Sequence, residues 1–140
     1  MRHRLFALAL LALGPALAGA PALAASAKEE KETGGERVIV APNVVTPVIR
    51  DGKLVNYLFV TVQVDLADGA NSLKLRDRAH FLRDSLLRAT HRVSLASPDR
   101  NDTLNTQAAL PVLKAAAEEA LGAANIKKVS ITGVDSLRRS

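Results

Sequence analysis

The chain has 140 residues, a net charge of +5, no cysteine, and only one tyrosine and three phenylalanines as aromatic residues. This length suits a single domain, and the lack of cysteine excludes a disulfide framework and a thiolate metal site. The positive charge is modest and dispersed and aromatic rings are scarce, which argues against a nucleic-acid-binding surface.

Residues 1–24 have the layout of a secretory signal peptide. Two arginines precede an apolar run over 5–17, and small residues lead to a cleavage site after Ala24. Cleavage after Ala27 is the competing choice. The segment is also about long enough to span a bilayer as an uncleaved inner-membrane anchor. Its second half is Ala, Gly and Pro, however, so cleavage and a periplasmic location are the favoured prediction.

The remaining chain divides into a leader, one domain and a tail. Residues 25–36 mix charges without apolar periodicity, which is typical of a flexible leader. Residues 37–134 carry the periodic segments and are expected to form one α+β domain. Residues 135–140 are expected to form a polar tail.

The domain begins with two runs that predict a β-hairpin. The first run, 37–49, contains Pro42 and Pro47, which cannot donate to a ladder, so it is expected to be an edge strand or to split in two. Asp51-Gly52 then suits the positive φ angles of a type I′ turn. The hairpin is expected to be antiparallel.

The second run, Leu54–Leu66, is the longest strand pattern in the chain. Its even positions are apolar except for Asn56, and its odd positions become polar towards the end. A period of two places one apolar row on one face of a strand. The other elements of the domain are expected to cover that row.

Two helices are predicted after this strand. The first spans about Leu73–Val93, with Asn71 or Ser72 as its N-cap. Its expected buried stripe consists of Leu75, Ala79, Leu82, Leu86, Ala89 and Val93. A loop at Ala96–Asn101 leads to the second helix, at about Thr106–Ala124.

The second helix is rich in alanine, and Pro111 is expected to restrict or slightly kink its first turns. Asn125 is expected as a left-handed C-cap. Its expected buried stripe consists of Leu110, Leu113, Ala117, Ala120 or Leu121, and Ala124.

A closing strand over Ile126–Val134 completes the domain. Two helices cannot cover both faces of so small a sheet, so they are expected on one face. The predicted fold is a two-layer α+β sandwich with an antiparallel or mixed sheet.

Four segments resemble the periplasmic domain of the flagellar basal-body-associated FliL family. They are the long strand Tyr57–Leu66 after a short hairpin, the helix segment Phe81–Leu87 (Phe-Leu-Arg-Asp-Ser-Leu-Leu), the alanine-rich helix Leu110–Leu121 and the closing strand Ile126–Val134. The resemblance covers about Val44–Val134. It implies a fold similar to the stomatin-like domain, ring-type self-association, and a structural role beside a membrane machine.

This sequence departs from the family at two places. The family keeps an N-terminal transmembrane helix, whereas the apolar segment here has the layout of a cleaved signal. The loop at Ala96–Asn101 also differs from the family's usual acidic or glycine-containing connection. A periplasmic relative of this kind need not act at the flagellum.

The best functional surface in the sequence is a basic flank of the first helix. Lys74, Arg78, Arg88 and Arg92 fall within about one 80° sector, interleaved with Phe81 and beside the buried stripe. Such a flank is either a solvated helix side or a contact for an acidic protein or anionic headgroups.

No catalytic, cofactor or metal site is predicted. His80 and His91 are about 16 Å apart along a helix and cannot share an ion, and Asp77 with His80 lacks a third ligand. No nucleophile elbow or phosphate-binding loop is present either. The expected function is therefore non-enzymatic, through protein contacts or self-assembly linked to flagellar or envelope machinery. The alternative is a small periplasmic module that binds a ligand or an envelope polymer between sheet and helices.

Overall fold

The structure, a computed structural model, describes residues 37–138. Its elements in chain order are strand β1 (Val38–Arg50), strand β2 (Lys53–Leu66), helix α1 (Ser72–Asp77), helix α2 (Ala79–Arg92), helix α3 (Thr106–Leu121), a short 3₁₀ helix (Ala123–Asn125) and strand β3 (Ile126–Ser136). The predicted signal peptide and leader lie outside the described residues. This order confirms the predicted α+β fold.

The three strands form one antiparallel sheet with β2 in the centre, in the order β1-β2-β3. Arg50 pairs with Lys53 across the predicted turn, where Asp51 and Gly52 have φ angles of 51° and 75°. These positive angles confirm the type I′ hairpin.

β1 is one continuous strand with a bulge, which is one of the two outcomes expected from its prolines. The pairing with β2 shifts between Ala41 and Val44, and Asn43 has a φ of 52°. Pro42 and Asn43 together oppose one residue of β2. Because one residue of such a bulge is unpaired, Pro42 can lack a backbone N–H without ending the strand.

The even positions of β2 face the helices, as predicted from the period of two. Residues at alternate positions from Asn56 to Leu66 are all buried, whereas Leu54, beside the turn, is half exposed. The helices supply the other side of the core through Leu82, Leu86 and Leu113. Side chains of this size exclude water from the space between the two layers, because protein interiors pack closely.

The first helix predicted from the sequence is two helices. Arg78 interrupts it with φ −93° and ψ 8°, and its N–H donates to the Leu75 carbonyl in a tighter turn. Both Leu75 on α1 and Leu82 on α2 are buried on either side of this break. The N-cap prediction is confirmed at Asn71, whose side chain accepts from the Lys74 N–H at 3.1 Å.

The predicted stripe of this region is correct in its middle and wrong at its end. Leu75, Leu82 and Leu86 are buried, and Ala79 and Ala89 are partly buried. Val93 is 49% exposed, because α2 ends at Arg92 and the backbone is extended from there. Ser85 and Thr90, which carry hydroxyl groups, complete the buried face instead.

The second predicted helix is correct in position, but its end is not at Asn125. α3 stops at Leu121, and Gly122 takes the positive φ of 91° that a helix terminus favours. Asn125 lies in the 3₁₀ helix, where its side chain donates to the Leu121 carbonyl. Ala124 is therefore outside the helix and exposed. At the other end Leu110 is only partly buried, whereas Ala109 and Ala116 join the core.

Residues 135 and 136, expected in a polar tail, belong to the sheet. β3 continues to Ser136, two residues beyond the expected strand, and the Leu137 N–H donates to the Tyr57 carbonyl. The domain therefore includes the residues up to Arg138.

Candidate interaction surface

Helices α2 and α3 pack side by side in opposite directions on the sheet. The hydroxyl of Ser85, in the middle of α2, donates to the Ala116 carbonyl of α3 at 2.8 Å. The loop between them is closed by the Asn105 N–H, which donates to the Leu95 carbonyl. Small residues on α3 allow this close approach and leave a groove on the solvent side of the pair.

The groove has an apolar floor and runs about the length of α2, which is about 21 Å for 14 residues. Its larger part is a hollow of about 280 Å³. A second hollow of about 120 Å³ continues it towards the start of α2. The floor consists of Ala89, Val93, Val112, Ala115 and Ala116.

Three arginines on α2 and at its start line this groove. Arg88 and Arg92 line the larger hollow, and Arg78 lines the smaller one beside Phe81. Arg88 pairs with Asp84 at 3.0 Å, whereas Arg78 and Arg92 have no ion pair within residues 37–138. The groove is therefore basic along one side.

Phe81 is the exposed apolar residue at one end of the groove. Its side chain is 52% exposed, and the Arg78 guanidinium carbon lies 5.8 Å from its ring centroid. The His80 ring is also close, at 4.0 Å between centroids. A half-exposed ring beside a guanidinium group presents both an apolar face and positive charge to a partner.

Glu119 is the acidic group of the groove. It lines both hollows from the α3 side, and one of its carboxylate oxygens lies 3.5 Å from the Ser85 hydroxyl. One carboxylate opposite three guanidinium groups leaves an excess of positive charge. We call the surface formed by Arg78, Phe81, Arg88, Arg92 and the floor residues the arginine groove.

The arginine groove contains four of the five residues singled out in the sequence. Lys74 is the exception, because it is exposed on α1, before the break at Arg78, and lines neither hollow. The sequence expectation assumed a single straight helix. The α3 side of the groove was not anticipated, because the packing partner of a helix flank cannot be read from one helix.

His80 and His91, the two histidines in the described part of the chain, do not form a metal site with neighbouring acids. His91 Nδ1 lies 2.7 Å from the Leu87 carbonyl of its own helix and so carries the hydrogen of that bond. Within residues 37–138 no three metal-ligating side chains come close enough together to hold an ion.

A polar clasp, formed by Arg50 and Asn56, was missed by sequence reasoning. The Asn56 amide donates to the Asn101 and Arg138 carbonyls at 2.9 Å, and its oxygen accepts from the Arg138 N–H. Arg50 donates to Ser97 and Arg100 carbonyls. The sequence did carry a signal for the clasp, namely Asn56 in the apolar row of β2. A polar residue at a buried position needs hydrogen-bond partners.

The clasp holds the loop before α3 against the hairpin end of the sheet. Within this loop Arg100 and Asp102 form an ion pair at 2.9 Å. The hydrogen bond to Asp102, followed by its charge, raises the pKa of the Arg100 guanidinium. That group is protonated in any case, so the effect is structural rather than catalytic.

Comparison with known proteins found no match, since no family model, no curated protein and no solved structure is significantly similar to this chain. Among the described residues, no helix is long and apolar enough to cross a membrane.

Proposed function

We propose that this chain is an exported, non-enzymatic domain that works through protein contacts, with the arginine groove as its contact surface. The observation that carries the proposal is the set of three arginines and one half-exposed phenylalanine along a single apolar groove. Arginine and aromatic side chains dominate the energetics of protein interfaces. The proposed role is the one that the FliL resemblance implies, next to flagellar or envelope machinery.

The chemistry of the groove defines the partner that fits it. A floor of alanine and valine accepts apolar side chains, and the arginines beside it attract carboxylates. An amphipathic segment with an apolar stripe and an acidic flank satisfies both, as in helix-in-groove recognition. A second copy of this chain fits the groove less well, because two surfaces with excess positive charge repel each other.

Site-specific photo-crosslinking in cells tests this contact. A photoreactive residue at Ala115, on the exposed part of the floor, should give an adduct with another protein. The same residue at Gln107, exposed on α3 outside the groove lining, is the matched control and should give none. Arg88→Glu with Arg92→Glu should abolish the Ala115 adduct and leave the melting temperature nearly unchanged, since both side chains are exposed.

Two outcomes would contradict this contact. If the adduct still forms in Arg88→Glu with Arg92→Glu, these two arginines do not recognise the partner. Loss of the adduct after Lys53→Glu with Lys114→Glu, two reversals outside the groove, shows a general charge effect instead. Binding of the purified chain to anionic lipid vesicles, abolished by Arg88→Glu with Arg92→Glu, would assign the groove to a membrane surface.

The proposed periplasmic location is tested by the mass of the chain. Signal-peptide cleavage predicts a mature N-terminus at Ala25 or, as the alternative, at Lys28. Intact-mass measurement on the periplasmic fraction distinguishes the two. A full-length species found only in membranes would replace export with the anchored alternative.

A further inference from the structure

The two edges of the sheet differ in how their backbone groups are protected. β1 carries Pro42 and Pro47 and the bulge between Ala41 and Val44. Side chains from α2 also bind its carbonyls. Arg83 donates to the Pro42 carbonyl at 2.8 Å, and the Thr90 hydroxyl shares its hydrogen between the Val45 carbonyl at 3.0 Å and the Leu87 carbonyl at 2.9 Å. Prolines, a bulge and capped carbonyls together prevent another strand from adding to this edge.

Among the described residues, the β3 edge has neither prolines nor side-chain caps, although its pairing with β2 also shifts by one residue at Lys127 and at Thr132. β3 is 11 residues long, contains no proline and pairs only with β2. Within residues 37–138 no side chain hydrogen-bonds to its backbone, and most of its residues are exposed or only partly buried. An uncovered edge of this length is a template for another strand.

We propose that β3 pairs with β3 of a second copy of this chain, in antiparallel orientation, to form a continuous six-stranded sheet. The proposal concerns a different surface from the arginine groove and is independent of the proposed function. The charges at the two ends of β3 favour pairing with a second copy over pairing with an unrelated strand.

Lys128 and Asp135 lie on the same face of β3, near opposite ends of the strand. Lys128 pairs across the sheet with Asp65 and Asp135 with Phe59, and these odd positions of β2 face away from the helices. Thr132 is the extra residue of the register shift in β3. With Thr132 left unpaired in each copy, antiparallel pairing centred on Ile131 brings Lys128 of one copy opposite Asp135 of the other, twice. Lysine on an edge ordinarily discourages pairing, whereas here each lysine meets a carboxylate.

The apolar side of the edge fits the same arrangement. Val134 is 39% exposed although it faces the helix side of the sheet, because it pairs with the buried Val60. A second copy at this edge would cover Val134 with its own Val129. Exposed apolar surface at an uncovered edge is the area that such pairing buries.

The protected β1 edge limits the assembly to two copies. After two β3 strands pair, the six-stranded sheet ends in a β1 strand at each side. Both of these edges carry the prolines and the α2 caps, so no third copy can add. The expected product is a closed dimer with two-fold symmetry rather than a fibre.

Sedimentation equilibrium of the purified full chain, with charge-reversed variants, tests this pairing. The wild type should dimerise, and salt should weaken the dimer. Lys128→Glu and Asp135→Lys should each weaken it about tenfold or more, because each turns two attractive cross-strand pairs into repulsive ones. An equal mixture of the two variants should restore dimers. In a mixed dimer the introduced glutamate of one copy meets the introduced lysine of the other, and the remaining Lys128 meets the remaining Asp135.

Matched controls separate this effect from misfolding and from the groove. Lys53→Glu, at the hairpin, and Arg88→Glu with Arg92→Glu should leave the dimer unchanged. All variants should keep the wild-type circular dichroism spectrum. A wild type that stays monomeric at millimolar concentration overturns the proposal, and so does a dimer that the mixed variants fail to restore.

Discussion

Four polar residues are buried among the described residues, and three of them have partners. Ser85 and Thr90 bond carbonyls of α3 and β1, and Asn56 bonds the loop and the chain end. Thr46, on β1, is fully buried and its hydroxyl has no partner.

At this scale the sequence predicted which face of the strand is buried, because period two is local. It could not predict the Asn56 partners, because they lie 45 and 82 positions away.

Substitutions at Thr46 and Asn56 should therefore have opposite effects. Thr46→Val removes an unpaired hydroxyl at nearly constant shape, so stability should rise by about 1 kcal/mol. Asn56→Leu removes the amide and leaves buried groups unpaired, so stability should fall by about 1–3 kcal/mol. Urea titrations monitored by circular dichroism measure both. A loss of stability in Thr46→Val would show that its hydroxyl has a partner.

At the scale of elements, local signals predicted the strands, the type I′ turn and the positions of the helices. The break at Arg78 was missed, because neither proline nor glycine marks it and the apolar spacing continues through it. The exposure of Val93 was missed for a related reason. Apolar spacing gives the face of a helix but not the residue at which the chain leaves it.

The centre of α2 should be the most sensitive part of the helical layer. Leu86 is fully buried against the sheet, so Leu86→Ala should cost about 2–5 kcal/mol through lost burial and the cavity left behind. Lys74→Ala on the exposed side of α1 is the control and should cost less than about 0.5 kcal/mol. Chemical denaturation compares them. Equal midpoints for the two variants would contradict the orientation of α2.

Arg83 is not a neutral surface position, although helical periodicity places it on the polar side. Its guanidinium donates to the Pro42 carbonyl and so helps to cap the β1 edge. A charged donor to a backbone carbonyl contributes more than a solvated side chain. Arg83→Ala should therefore lower stability more than Lys74→Ala does.

At the scale of the whole molecule, the two-layer architecture could be predicted, because so short a series of strands and helices can be packed into only a few folds. One hairpin, two helices and one closing strand leave only one face of the sheet to cover. The arginine groove could be predicted only in part, because it depends on the distance and direction of α3. The difference between the two sheet edges was predictable only from the prolines of β1, because the capping of its carbonyls rests on contacts between α2 and β1.

The direction of the strands also decides how the domain bears mechanical load. β1 and β3 run in the same direction, because each is antiparallel to β2. The described chain starts at one end of the sheet, where the Arg37 carbonyl accepts from Leu66, and reaches Arg138 at the other end beside Asn56. Tension between these points drags the outer strands past β2 in opposite directions. Ladder hydrogen bonds lie across the strands, so this shear stretches them together rather than one at a time. A domain held by its first strand and pulled through its last therefore loads all these bonds at once, and its lifetime under tension is governed by the unfolding rate constant.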